Sequence, residues 1–139
     1  MISKYLRWQA RTTRAATDYV AAQFAAFQIS RGLATFFEAC DVFLCPTLCA
    51  PPLRIGELNT MSEDLSHIAP TLRRYMPGTS MFNISGQPAM SVPLAWNTAG
   101  LPLGMMFSAK FGDEGTLFRL AGQLEQTRPW KNRIPPVCA

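Results

Sequence analysis

From Thr17 to about Glu38 the chain runs without a proline, and large apolar side chains recur at Val20, Phe24 and Phe27, then at Leu33, Phe36 and Phe37. Spacings of three and four predict an amphipathic helix. Thr17 or Asp18 can accept from its free first amides, and Gly32 is a weak point that could divide it. Each large side chain gains about 1.5–3 kcal/mol on burial, so this helix needs a sheet or a second helix against it. Asp41-Val-Phe-Leu-Cys45 then reads as a short buried strand, stopped by Pro46, which lacks an amide for a continued ladder.

Pro46 to Pro77 is a long excursion broken by Pro51, Pro52 and Pro70, in which Leu65, Ile68 and Leu72 could line a short helix. Loops of that length in compact domains are often functional rims. Gly86 and Pro88 set an unusual backbone that reads as a turn before a strand at Ala89–Val92. Asn97-Thr-Ala-Gly100 has turn chemistry before a second apolar run, Leu103–Ala109, which makes the two a hairpin or near neighbours. Asp113 can cap a last helix carrying Leu117, Leu120, Ala121 and Leu124, which ends before Pro129 and an irregular tail.

The order helix, strand, excursion, strand, strand, helix predicts an α/β fold with too few strands to close a sheet. It would be the C-terminal portion of a mixed β-sheet flanked by helices, incomplete as a stand-alone domain, with an apolar face left open. A chain of 139 residues suits a single segment of one domain, and 48% hydrophobic against 16% charged residues argues against disorder. No window is apolar enough for a membrane span and no secretory signal follows Met1, so a soluble, cytoplasmic protein is expected.

The net charge of +4 resides in the first seventeen residues, a basic helix or extension where Lys4, Arg7, Arg11 and Arg14 fall on one helical face. A solvated face, a mitochondrial presequence or a contact for an anionic partner would each produce such a stripe. The remainder is neutral, without the basic and aromatic interleaving of a nucleic-acid surface.

Chemistry is harder to place. Cys40, Cys45, Cys49 and Cys138 form no C-x-x-C pair, and the one histidine, His67, is remote from them, so buried free thiols in a reducing compartment are expected rather than a metal site. Asp64, Ser66 and His67 lie together, but triads are assembled from distant positions, and His67 reads as a surface residue. There is no G-x-S-x-G elbow, Walker loop or G-x-G-x-x-G.

The linked local signals are more specific together than apart. Asp41 to Thr47 is a D-x-h-h-x-P-T strand, Phe82 to Pro93 reads FNISGQPAMSVP, Gly100 to Gly104 reads GLPLG, and an acid-capped helix covers Asp113 to Glu125 before the closing LEQTRPWKNRIPP. In this order they resemble the C-terminal part of the amidase-signature family, over nearly the whole chain from about Asp18. The resemblance implies an amide-bond hydrolase without a cofactor, whose Ser–Ser–Lys catalytic set lies in a glycine- and serine-rich stretch N-terminal to this region. That stretch is absent, and Lys4, Lys110 and Lys131 lack the family's lysine context, so no catalytic residue carries over.

What carries over is pocket lining: Thr47 after the first strand, and Phe82, Asn83, Gly86 and Gln87 at the FN-x-x-G-Q turn, on the acyl side of the site. Asn83 and Gln87 can donate and accept, Phe82 offers an apolar wall, and Gly86 permits close backbone approach. Each of these residues has a purely structural reading as well. Transamidating members tend to carry an acidic residue shortly before the asparagine, whereas Arg74 to Phe82 has none, so Met76, Met81 and Phe82 suit a linear or aromatic amide better. The chain alone is expected to be inactive. Its expected partner is the N-terminal portion of the same amidase, or a second copy through sheet edges. The alternative is a non-enzymatic binding or assembly module that retains an amidase-like shape.

Overall fold

The computed structural model describes residues 15–62, 64, 66–76 and 78–134. Lys4, Arg7, Arg11 and Arg14 of the basic stripe, Leu65 and Cys138 lie outside them. The first helix, α1, is Ala16–Ala39, unbroken at Gly32. One glycine costs a helix about 1 kcal/mol relative to alanine, too little to divide twenty-four residues rich in alanine. Its cap differs from the expected one. Ala15 occupies the capping position, and the Asp18 carboxylate reaches back from the first turn to accept the Ala15 amide at 3.0 Å.

Three strands follow expectation in number, and β2 and β3 in pairing: β1 (Val42–Pro46), β2 (Ala89–Trp96) and β3 (Pro102–Ala109), with β3 in the middle, a strand order the sequence does not predict, and both pairings antiparallel. The Asn97 carboxamide oxygen accepts the amides of Ala99 at 3.0 Å and Leu101 at 2.9 Å and fixes the β2–β3 turn. β2 does not end at Val92 as its sequence suggests. Pro93 pairs with Gly104, and the register shifts between Pro93 and Ala95. A bulge on an edge strand tolerates a residue without an amide, so the ladder continues to Trp96.

One short helix, α2 (Ile68–Tyr75), lies within the excursion, and a second, α3 (Thr79–Ser85), follows it. Ile68 is fully buried, while His67 is exposed. Asp64 accepts the Ser66 amide at 2.9 Å, closing a local turn rather than orienting an imidazole. The last helix, α4 (Glu114–Thr127), starts as expected: Asp113 accepts from the Thr116 amide at 3.2 Å and from its hydroxyl at 2.7 Å.

The hydrogen bond from the Thr116 side chain is the main cause holding the Asp113 carboxyl below the ordinary carboxylate range. A pKa depressed by folding contributes stability at pH above the unfolded value, and that contribution is lost as the pH falls through the folded one. Asp113→Asn keeps an acceptor at the cap but cannot titrate. It should melt close to wild type at neutral pH and show a flatter loss of Tm between about pH 5 and pH 2. An unchanged acid limb would assign that loss to other carboxylates.

Each side of the sheet carries a partial core, so neither face is wholly bare. On one side Val92, Phe107 and Ala109 pack with Leu117 of α4. On the other, Met106 packs with Phe37 of α1 and Phe82 of α3. Unpartnered apolar surface lies instead along α1, where Val20, Phe24 and Phe27 are 51–64% exposed, and at Leu44 of β1.

Candidate functional site

The amide of Thr47 continues the ladder beyond Pro46 by donating to the Gly104 carbonyl at 2.8 Å. Its hydroxyl meets that of Ser91 at 2.6 Å. The two meet over the central strand, because a Cβ at Gly104 would lie 2.7 Å from Ser91 Oγ and 2.9 Å from Thr47 Oγ1. Gly104, the last residue of GLPLG, is therefore the opening through which β1 and β2 touch. Gly104→Ala should separate the hydroxyls and destabilise the chain by about 1–3 kcal/mol, the usual cost of overpacking. Ser91→Ala in the same chain should recover part of it. Urea unfolding of the single and double variants checks both, and a single variant with the wild-type midpoint would contradict this packing.

Phe82 and Asn83 lie on the last turn of α3 rather than in an open turn, since Gly86 ends the helix with φ of 76° and donates its amide to the Phe82 carbonyl at 2.9 Å. A left-handed residue closing a helix is most cheaply a glycine. Consecutive helical positions diverge: Phe82 is 3% exposed, its ring centroid 5.6 Å from that of Phe43, and Asn83 faces solvent. Gln87 is buried, and its side-chain oxygen accepts from the Ser85 hydroxyl.

Gln87 and Ser85 line a cavity of about 360 Å³ between α1 and the β3–α4 turn, with Phe37 and Phe111 among its apolar walls. Gly86 leaves room for one of them, because a Cβ there would come within 3.3 Å of the Phe111 ring. Of the five residues singled out from sequence, Gln87 lines this cavity and Gly86 borders it. Phe82 packs in the core beneath the sheet, and Thr47 lies over Gly104 outside the cavity wall. Ser91, Ser85 and Phe111 were missed. The one available signal was Ser91, a polar residue within an apolar strand.

A second hollow, of about 580 Å³, lies at the hairpin turn against Trp96, Trp130 and Arg133, where the closing segment returns and the Arg133 guanidinium sits 4.3 Å from the Trp96 ring centroid. Cys40, Cys45 and Cys49 are free thiols, but Cys40 and Cys49 are exposed rather than buried as expected; partial burial, followed by the neighbouring Cys49, pushes the Cys45 thiol up. Among the described residues no group of three or more His, Cys, Asp or Glu is arranged to hold a metal, and no helix is long and apolar enough to cross a membrane.

Comparison with known proteins places the chain in a family. The family model described as Amidase matches residues 4–118. "Putative amidase AmiC" of Mycobacterium leprae is 41% identical over 103 residues, which is 74% of this chain and 22% of that protein. A glutamyl-tRNA(Gln) amidotransferase subunit from Thermosynechococcus vestitus is 33% identical over 86% of this chain and 23% of its own length. Among solved structures, 6-aminohexanoate cyclic dimer hydrolase complexed with substrate superposes with a TM-score of 0.81 at 28% identity, covering 96% of this chain and 30% of that one. The chain thus spans less than a quarter of the length of the Mycobacterium leprae and Thermosynechococcus vestitus relatives.

Proposed function

Because the chain belongs to the amidase family, we propose that it supplies the C-terminal section of an amide-bond hydrolase, contributing sheet strands and part of the acyl pocket to a catalytic body that carries the nucleophile. The observation behind this reading is the family match over residues 4–118, together with a 103-residue alignment that makes up only 22% of the Mycobacterium leprae relative. The lysines agree with it. Lys110 stands in the exposed turn after β3 and Lys131 in the closing turn, and the sequence holds no glycine- and serine-rich stretch to provide a Ser–Ser–Lys set.

Within the complete enzyme, Gln87 from the cavity wall and Gly86 beside it would shape the acyl side, and Phe82 would hold in place the helix that Gly86 ends. Thr47 and Asn83 are the remaining candidates for contact with substrate. The absence of an acidic residue from Arg74 to Phe82 favours a linear or aromatic amide over glutamine.

The purified chain should leave a panel of aliphatic and aryl amides unhydrolysed. It should support turnover when co-expressed with the portion of the Mycobacterium leprae relative that precedes the matched segment. Hydrolysis by the chain alone, abolished by a single substitution, would overturn this reading. A defined partner other than an amidase body, held in a salt-sensitive manner through Lys4, Arg7, Arg11 and Arg14, would favour a binding module instead. Glutamine as the preferred substrate of the complemented enzyme would refute the assignment of substrate class.

A further inference from the structure

The cavity of about 360 Å³ beside α1 has a one-sided polar chemistry. Phe27, Phe37 and Phe111 provide aromatic walls, Arg31 and Lys110 stand exposed beside them, and no carboxylate belongs to the wall. Gln87 points the same way. Its oxygen is engaged by the Ser85 hydroxyl, and its NH₂ adds a hydrogen-bond donor to the wall. Ser30 adds little, because its hydroxyl donates to the Ala26 carbonyl at 3.0 Å. An apolar hollow lined by an arginine, a lysine and a glutamine, with no carboxylate, is complementary to an anion with an apolar body. Its volume is at the lower end of the range for small-molecule sites, about 300–1,000 Å³.

We propose that this cavity binds the carboxylate of a small amphipathic organic acid, its hydrocarbon or aryl portion lying among Phe27, Phe37 and Phe111 and its carboxylate directed to Arg31, Lys110 and Gln87. Charge-assisted hydrogen bonds from a guanidinium are the strongest of the three contacts. That such an acid is the carboxylate-bearing part of an amide substrate, or the acid released from one, rests on the amide-hydrolase reading; the binding itself does not.

The test uses the full chain and two probes, 4-phenylbutyrate and its uncharged amide, 4-phenylbutanamide, titrated calorimetrically at low salt. The acid is expected to bind saturably and at least about tenfold more tightly than the amide, the difference that charge-assisted bonds supply. Arg31→Gln with Lys110→Gln, both at exposed positions and therefore safe for the fold, should bring the acid down to the affinity of the amide. Gln87→Glu, with its helical content checked by circular dichroism, should weaken the acid further. No saturable binding, equal binding of acid and amide, or undiminished binding by the double variant would each overturn the proposal. Acid binding without turnover in the co-expressed enzyme would remove the hydrolase reading and leave the site. Turnover without acid binding would do the reverse.

Discussion

Replacing Phe82 with alanine is expected to destabilise the chain by about 3–5 kcal/mol, the range for a buried phenylalanine whose space cannot collapse. Few single side chains here hold so much together. Phe82 is 3% exposed, packs with Phe37 and Met106, and lies against the Phe43 ring at an angle of 51°. It joins α1, α3 and the sheet, and α3 has only seven residues with which to hold its place. Domains as a class are stable by about 5–15 kcal/mol, so the variant should be largely unfolded in mild urea. Phe82→Leu should retain most of the stability. Urea titrations followed by circular dichroism decide the matter. Should the alanine variant unfold at the wild-type midpoint, the ring is not a core anchor, and a direct role against substrate becomes the better account of it.

The second large effect concerns association. Val20 and Phe24 are 51% and 64% exposed on one face of α1, next to Phe27 at 61%. Covering each would gain about 1.5–3 kcal/mol. The isolated chain is therefore expected to sediment as associated species whose size rises with concentration, and to bind a hydrophobic dye. Val20→Lys with Phe24→Lys should yield a monomer with little dye binding, whereas Leu44→Lys on β1 should have the smaller effect, because it removes one exposed side chain rather than a stripe. A compact wild-type monomer that unfolds cooperatively and binds no dye would show that α1 needs no cover.

The elements legible in the sequence are those whose signals are local. Asp113 and the spacing of Leu117, Leu120 and Leu124 define α4, and Asn97 to Gly100 define the hairpin, because a cap and a turn are made by neighbours. The α3 helix was not legible as a helix. Seven residues give too few turns for a period to show, so Phe82 and Asn83 read as a turn when the turn itself is confined to Gly86. Pro93 misled in the opposite sense, since its missing amide faces an edge and a bulge, a matter of strand order that no local pattern carries.

The candidate site was half legible for the same reason. Gly86 and Gln87 belong to one motif and lie together at the cavity, but Arg31, Phe27 and Phe111 reach it from elements far away in sequence. The contact of Thr47 with Ser91 exists only because Gly104 lies between them in a third strand.

The position of β3 between its two neighbours also sets an order of assembly. The hairpin of β2 and β3 closes on a short turn and carries α4 directly behind it, so residues 89–127 can find one another locally. Strand β1 reaches the opposite side of β3, pairing Val42 with Ala109 across the whole excursion, and must wait for that loop to close. A hairpin alone is marginal, but one backed by a helix can persist. Strand β1, and α1 with it, should thus be the last to arrive and the first to leave, and amides from Val42 to Cys45 should exchange with solvent under conditions that leave Phe107 protected.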